Sequence, residues 1–205
     1  YMMIICCFIT AYGLIFSYVC IKKYITFRYY DWDLAIYTNI LWNLVHGKLY
    51  SSLLGKNFLL DHASFIAFVT AIPYFIFRHP VSLLILQSFA IAISALPIFL
   101  VARDKFKDIS AVMFALLYLC YPALHYANLH EFNFEILSLP FLSFAFYYLL
   151  KNKRYLFYLM CILACSCKEN IPLTVIALGI FGILRPHRRA LGFMAVLIGI
   201  SWFLL

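Results

Sequence analysis

The side chains of this chain that could do chemistry are few and fall into islands. Asp31 and Asp33 stand one residue apart in Tyr30-Asp31-Trp32-Asp33-Leu34. Asp61-His62 comes next, then His130-Glu131-Phe132-Asn133-Phe134-Glu135, then Lys168-Glu169-Asn170. Carboxylates and histidines at the edge of an apolar region suit three tasks. They can hold a divalent cation through oxygen ligands, act as a general base toward a hydroxyl, or bind the polar end of an amphiphile. The plain alternative for each island is a solvated loop that marks a membrane boundary. Glu131 and Glu135 are four residues apart, a spacing that places both on one face of a helix. Lys168 stands at a helix junction, where it can pair with Glu169 or stretch its amine to the interface. The Trp and Tyr residues around Asp31 suit an interfacial belt.

The elements that must position these groups are apolar. Of 205 residues, 66% are hydrophobic and 12% charged, and mean hydropathy is +0.96. A soluble domain of this length exposes far more polar surface. The expectation is an all-α, polytopic transmembrane helical bundle embedded in a lipid bilayer. The chain begins at Tyr1 and ends inside an apolar run, so it reads as a piece of a longer protein. Its seven cysteines lie in or beside apolar runs and include no CxxC pair, which makes them small packing residues. The net charge of +8 fits membrane topology, with no need for nucleic acid.

Residues 1–20 form the first span. Residues 21–80 form an outer loop with interfacial or re-entrant helices. Within it, the stripe Leu34–Val45 has a polar side carrying Asn39, Asn43 and His46, too polar to cross. Ala63–Phe77 contains Pro73 and covers about 22 Å, short of the roughly 30 Å hydrocarbon core. Residues 81–205 supply further spans: Val81–Ala102, Ile109–Leu124, Ile136–Leu150, Tyr155–Cys167, Pro172–Leu184 and a run from Ala190. The loops Arg103–Asp108, Lys151–Arg154 and Arg185–Arg189 share a side in this scheme. They hold nine Lys or Arg against two acids, which assigns them to the cytoplasm. The other six acids fall on the opposite face with seven Lys or Arg. Asp33, Glu131 and Glu135 are expected to meet there in one outward-facing cavity, with Lys168 at its rim.

Two features resemble the GT-C superfamily of membrane glycosyltransferases, which use polyprenyl-phosphate-linked sugars. One is the acidic motif just after the first helix. The other is the later order of basic loop, helix, acidic island, helix, basic loop, helix and Lys-containing turn. More specifically, the chain resembles a family of integral membrane proteins catalogued as a domain of unknown function. The similar stretches are Asp33-Leu34-Ala35-Ile36-Tyr37, Leu41-Trp42-Asn43, Asp61-His62, Tyr121-Pro122-Ala123, Glu131-Phe132-Asn133-Phe134-Glu135 and Lys168-Glu169. That family typically has His where this chain has Asn133.

The resemblance implies a GT-C-like N-terminal part and a sugar transfer from a lipid-linked donor to an acceptor on the outer face of the plasma (inner) membrane. By the same resemblance Asp33 is the essential first-loop carboxylate, as general base or metal ligand, with Asp31 as its alternate. Glu131 and Glu135 form the second acidic or metal site, and Lys168 contacts the donor phosphate. Asp61, His62, His130 and Glu169 support it. Any metal would be Mg²⁺ or Mn²⁺. Two other classes fit the same islands. A transporter or flippase could line its path with these charges, although no inverted repeat is visible. A non-catalytic membrane scaffold would use them only as boundaries.

Overall fold

The computed structural model describes residues 1–29 and 32–204. Apart from one small hairpin the ordered elements are helical. That is the form in which an apolar segment satisfies its own backbone hydrogen bonds. Helix α1 spans Met2–Ile25 and α2 spans Asp33–Val45. Strand β1 (Tyr50–Ser51) pairs antiparallel with β2 (Lys56–Asn57). A 3₁₀ turn, Phe58–Leu60, precedes α3 (Ile66–Ile76). Helix α4 (Pro80–Ile93) runs on into α5 (Ala95–Arg103). Then come α6 (Asp108–Leu119) and α7 (Pro122–His130). A 3₁₀ turn at Phe134–Leu137 leads into α8 (Ser138–Leu150). Helices α9 (Arg154–Cys165), α10 (Ile171–Ile183) and α11 (Arg189–Phe203) complete the chain.

Prolines set several of these boundaries. Pro80, Pro122 and Pro172 all sit in the first turn of a helix, where a missing N–H costs nothing. The expected span Ile109–Leu124 is therefore broken. Pro122 cannot continue α6, and α7 restarts at a bend of 43°. By length and composition, two helices among the described residues can cross a membrane, Met2–Ile25 and Pro80–Arg103, and the bent α6–α7 pair would be a third. Helices α8 to α11 have 12 to 15 residues each. At 1.5 Å per residue they cover about 18–22 Å.

Polar contacts define two ends. At one, Lys151 Nζ pairs with Asp104 Oδ1 at 2.8 Å, and Arg188 Nη2 donates to the Leu150 carbonyl at 2.6 Å. The three basic loops thus meet. At the other, Lys23 in the last turn of α1 donates to the Leu129 carbonyl near the end of α7, at 2.7 Å. Both ends of α3 lie here. Before its start, Ser64 Oγ donates to the Cys167 carbonyl, and Ile66 N–H donates to Ser166. After its end, His79 meets Tyr24 edge-on at 5.6 Å. Helix α3 thus has contacts from both its flanks at this end, and it carries Pro73 within its 11 residues. With α2 and the hairpin it forms a cap whose core includes Leu34, Tyr37, Leu41, Phe58, Ile66 and Tyr74. Elsewhere α10 and α11 pack backbone to backbone. A Cβ at Gly192 would run into the Gly179 carbonyl and the Ile183 nitrogen, so only glycine fits.

Candidate functional site

The segment between α7 and the 3₁₀ turn at Phe134 enters the cap in extended form. Glu131 has φ −153° and ψ −178°, and only 3% of it is exposed. Its Oε2 accepts the N–H of Leu34 at 2.7 Å, from a residue 97 positions earlier. A carboxylate at a helix start satisfies a donor that the helix leaves unpaired, and meets the positive end of the helix dipole. Asp33 is the first residue of that helix, so Glu131 fixes the backbone that carries it. The expectation that Glu131 and Glu135 share a helix face is corrected here. Residues 131 to 133 are extended, and Glu135 sits in the following turn facing another partner.

Gln87 holds the segment from behind. It is fully buried on α4. Its Nε2 donates to the Glu131 carbonyl at 2.9 Å, and its Oε1 accepts the Asn133 N–H at 2.8 Å. One side-chain amide therefore pairs with the extended backbone much as a neighbouring strand would. Sequence reasoning passed over this residue. The available signal was an amide inside an apolar span, since a buried polar group of that kind needs partners. Asn133 ties the segment to both sides: its Oδ1 accepts the Glu135 N–H at 2.9 Å and lies 3.4 Å from the Tyr37 hydroxyl.

Glu135 Oε2 accepts from Lys168 Nζ at 3.0 Å, and Oε1 from Asn170 Nδ2 at 2.9 Å. Burial pushes its carboxyl up. The bonds from Asn170 and Lys168, with the charges of Lys168 and His62, outweigh that and hold it below the usual range. Lys168 is thus paired with Glu135, where the sequence suggested Glu169. Glu169 instead lies 2.9 Å from His62 Nδ1. His62 Nε2 is 3.9 Å from Asp61, which takes Lys56 Nζ at 2.6 Å. Asp33 is half-buried and lines a small cleft of about 50 Å³ with Tyr37, Asp61 and His62. Tyr37 is their common neighbour. Burial, then the charges of Asp33, Asp61, Glu135 and Glu169, push its phenol up, so it stays a neutral donor.

Two larger cavities flank Glu131. One, of about 880 Å³, lies at the corner of α1 and α2 and has Arg78 on its wall. The other, of about 550 Å³, is lined by His130, Asn133, Glu135 and Ile171. The acids therefore share one neighbourhood but face separate recesses, where a single cavity was expected. His130 is exposed at the end of α7, beside Tyr126. Asp31 lies outside the described residues. Among the described residues no three His, Cys, Asp or Glu side chains gather to hold a metal ion. Both Glu135 oxygens have partners in Lys168 and Asn170.

The model of one protein family, described as "Predicted membrane protein (DUF2079)", matches residues 23–205. The chain belongs to this family. No curated protein and no solved structure matches the chain. The DUF2079 match takes in every site residue named above, from Asp33 to Glu169, together with Gln87 and Arg78. As a member of a membrane protein family, this chain is in contact with a lipid bilayer. What this DUF2079 site offers chemically is a half-buried carboxylate, Asp33, on a pinned helix end. Around it stand a neutral phenol and two acid–cation pairs, Glu135–Lys168 and Asp61–Lys56.

Proposed function

We propose that this chain is a multi-pass membrane glycosyltransferase of the GT-C kind, moving a sugar from a polyprenyl-phosphate donor to a hydroxyl acceptor. The observation that supports this most is the bond from Leu34 N–H to Glu131, which pins Asp33 beside Tyr37, Asp61 and His62 at the end away from the basic loops. On this reading the basic loops face the cytoplasm and the acidic end faces outward from the plasma membrane. Asp33 accepts the proton of the acceptor hydroxyl as its oxygen bonds to the anomeric carbon. The bond from that carbon to the phosphate oxygen breaks, and the polyprenyl phosphate leaves with the electron pair. Asp31 is the alternate base. Glu131 positions Asp33. Glu135 and Lys168 fix the α9–α10 turn against the cap, and Asp61, His62, His130 and Glu169 shape the recesses around it. No step of this scheme runs through a metal ion.

The test is donor cleavage in proteoliposomes carrying a labelled polyprenyl-phosphate sugar, with a short alcohol or water as acceptor. Release of free polyprenyl phosphate and a labelled glycoside is the expected result. Appearance of intact donor on the far side without cleavage would overturn the proposal and mark a flippase.

A further inference from the structure

We propose that the cavity of about 880 Å³ at the α1–α2 corner binds the phosphate group of a lipid, with Arg78 as the phosphate contact. This deepens the glycosyl-transfer reading by moving the donor-phosphate role from Lys168 to Arg78, but the binding itself does not depend on that reading.

Three observations carry it. The first is charge. Lys168 is neutralised by Glu135, and Lys56 by Asp61. Arg78 makes no ion pair among the described residues. Its guanidinium lies 4.5 Å above the Phe75 ring, and its Nε is 3.4 Å from the Phe75 carbonyl. The rest of that planar fork remains to meet an anion, which a guanidinium does bidentately. Glu131, on the same cavity, accepts the Leu34 N–H at the start of α2.

The second is the wall. Tyr24, Tyr29, Trp42, Tyr74 and Ile25 line the cavity, giving apolar faces with a few polar tips, and its volume lies within the usual range for a small-molecule site. Burial, then Cys20 and Glu131, push the Tyr29 phenol up, so it stays neutral, with its hydroxyl directed at the Cys20 carbonyl at 3.5 Å.

The third is the rim. Phe27 is 91% exposed and has φ +53°, a left-handed backbone that bulky residues rarely adopt. It closes the C-terminus of α1, where its N–H donates to Tyr24 and that of Arg28 donates to Lys23. Glycine would hold this position without strain. Phenylalanine instead projects a ring at the cavity mouth. Ile76 and Phe77, just before Arg78, are exposed as well. An apolar lip with a cation beside it matches a lipid in cross-section, tail in the hydrocarbon and phosphate at headgroup depth.

The experiment is native mass spectrometry of the full chain in detergent with geranyl monophosphate, geraniol and glycerol phosphate. Wild type should bind geranyl monophosphate. Arg78→Gln should weaken it by about tenfold or more, the worth of a charge-assisted bond. Arg78→Lys should fall between them, and Lys168→Gln should bind as wild type does. Geraniol should bind weakly and equally to wild type and Arg78→Gln. Unchanged binding in Arg78→Gln overturns the proposal, as does a larger loss in Lys168→Gln. Equal competition by glycerol phosphate would assign the site to free phosphate and overturn the lipid. If Arg78→Gln does not survive extraction, Arg78→Lys decides: undiminished binding there overturns the proposal. Binding lost in Arg78→Gln while wild type never cleaves a donor would retire glycosyl transfer and leave this site standing. Donor cleavage with undiminished binding in Arg78→Gln would do the opposite.

Discussion

Gln87→Met is the sharpest test of how the cap is held. Methionine keeps the length and helix preference of glutamine and removes both polar ends. Gln87 is fully buried, and it serves the Glu131 carbonyl at 2.9 Å and the Asn133 N–H at 2.8 Å. Both backbone groups would lose their side-chain partner. A buried group left unpaired costs roughly 1–3 kcal/mol. Two such groups, with partial relaxation, give about 2–4 kcal/mol. For a chain of this size that lowers the unfolding midpoint by about 4–16 °C. The assay is thermal unfolding of purified protein in detergent, with Leu86→Met on the same helix as a volume-conserving control expected to cost little. A Gln87→Met midpoint matching that control would refute the idea that this amide holds the segment. Loosening the segment should also free the start of α2, so donor cleavage should fall with stability.

Two further predictions concern charge. Glu135 has a depressed folded pKa, so its contribution to stability is complete above the ordinary carboxyl range, near pH 4.3, and is lost as pH falls through the lower folded value. Unfolding midpoints between roughly pH 6 and pH 3 should therefore drop more in wild type than in Glu135→Gln; parallel profiles would show that the link to Lys168 and Asn170 contributes nothing. Single cysteines in a cysteine-free background should label from the cytoplasmic side at positions 105, 153 and 188, and from outside at position 169. Labelling of positions 105 and 153 from opposite sides would contradict the contact between Asp104 and Lys151.

Much of the architecture was legible because charge in hydrocarbon is costly. Charged residues had to stand at helix ends, so the basic loops and acidic islands marked most turns in advance. The site was legible as a list of residues and much less as a set of partners. Lys168 stands beside Glu169 in sequence, yet its partner is Glu135, 33 residues earlier, because the turn aims Glu169 at His62. Glu131 and Glu135 have helical spacing, but α7 ends at His130. The bonds to Gln87 and Leu34 then hold residues 131 to 133 extended. Gln87 and Arg78 were passed over for a common reason: each stands beside one other polar residue, Ser88 or His79, in an apolar stretch, and its meaning depends on backbone or cavity walls supplied from far along the chain.

The most direct test of the central reading is donor cleavage by Asp33→Asn beside wild type in the same proteoliposomes. The substitution keeps size and removes the charge, and the side chain is half-buried at a helix start, so the protein should remain folded in the membrane. Loss of a general base should lower the rate by about 10²–10⁴ while the unfolding midpoint and geranyl monophosphate binding stay close to wild type. Full cleavage activity in folded Asp33→Asn protein would contradict the account.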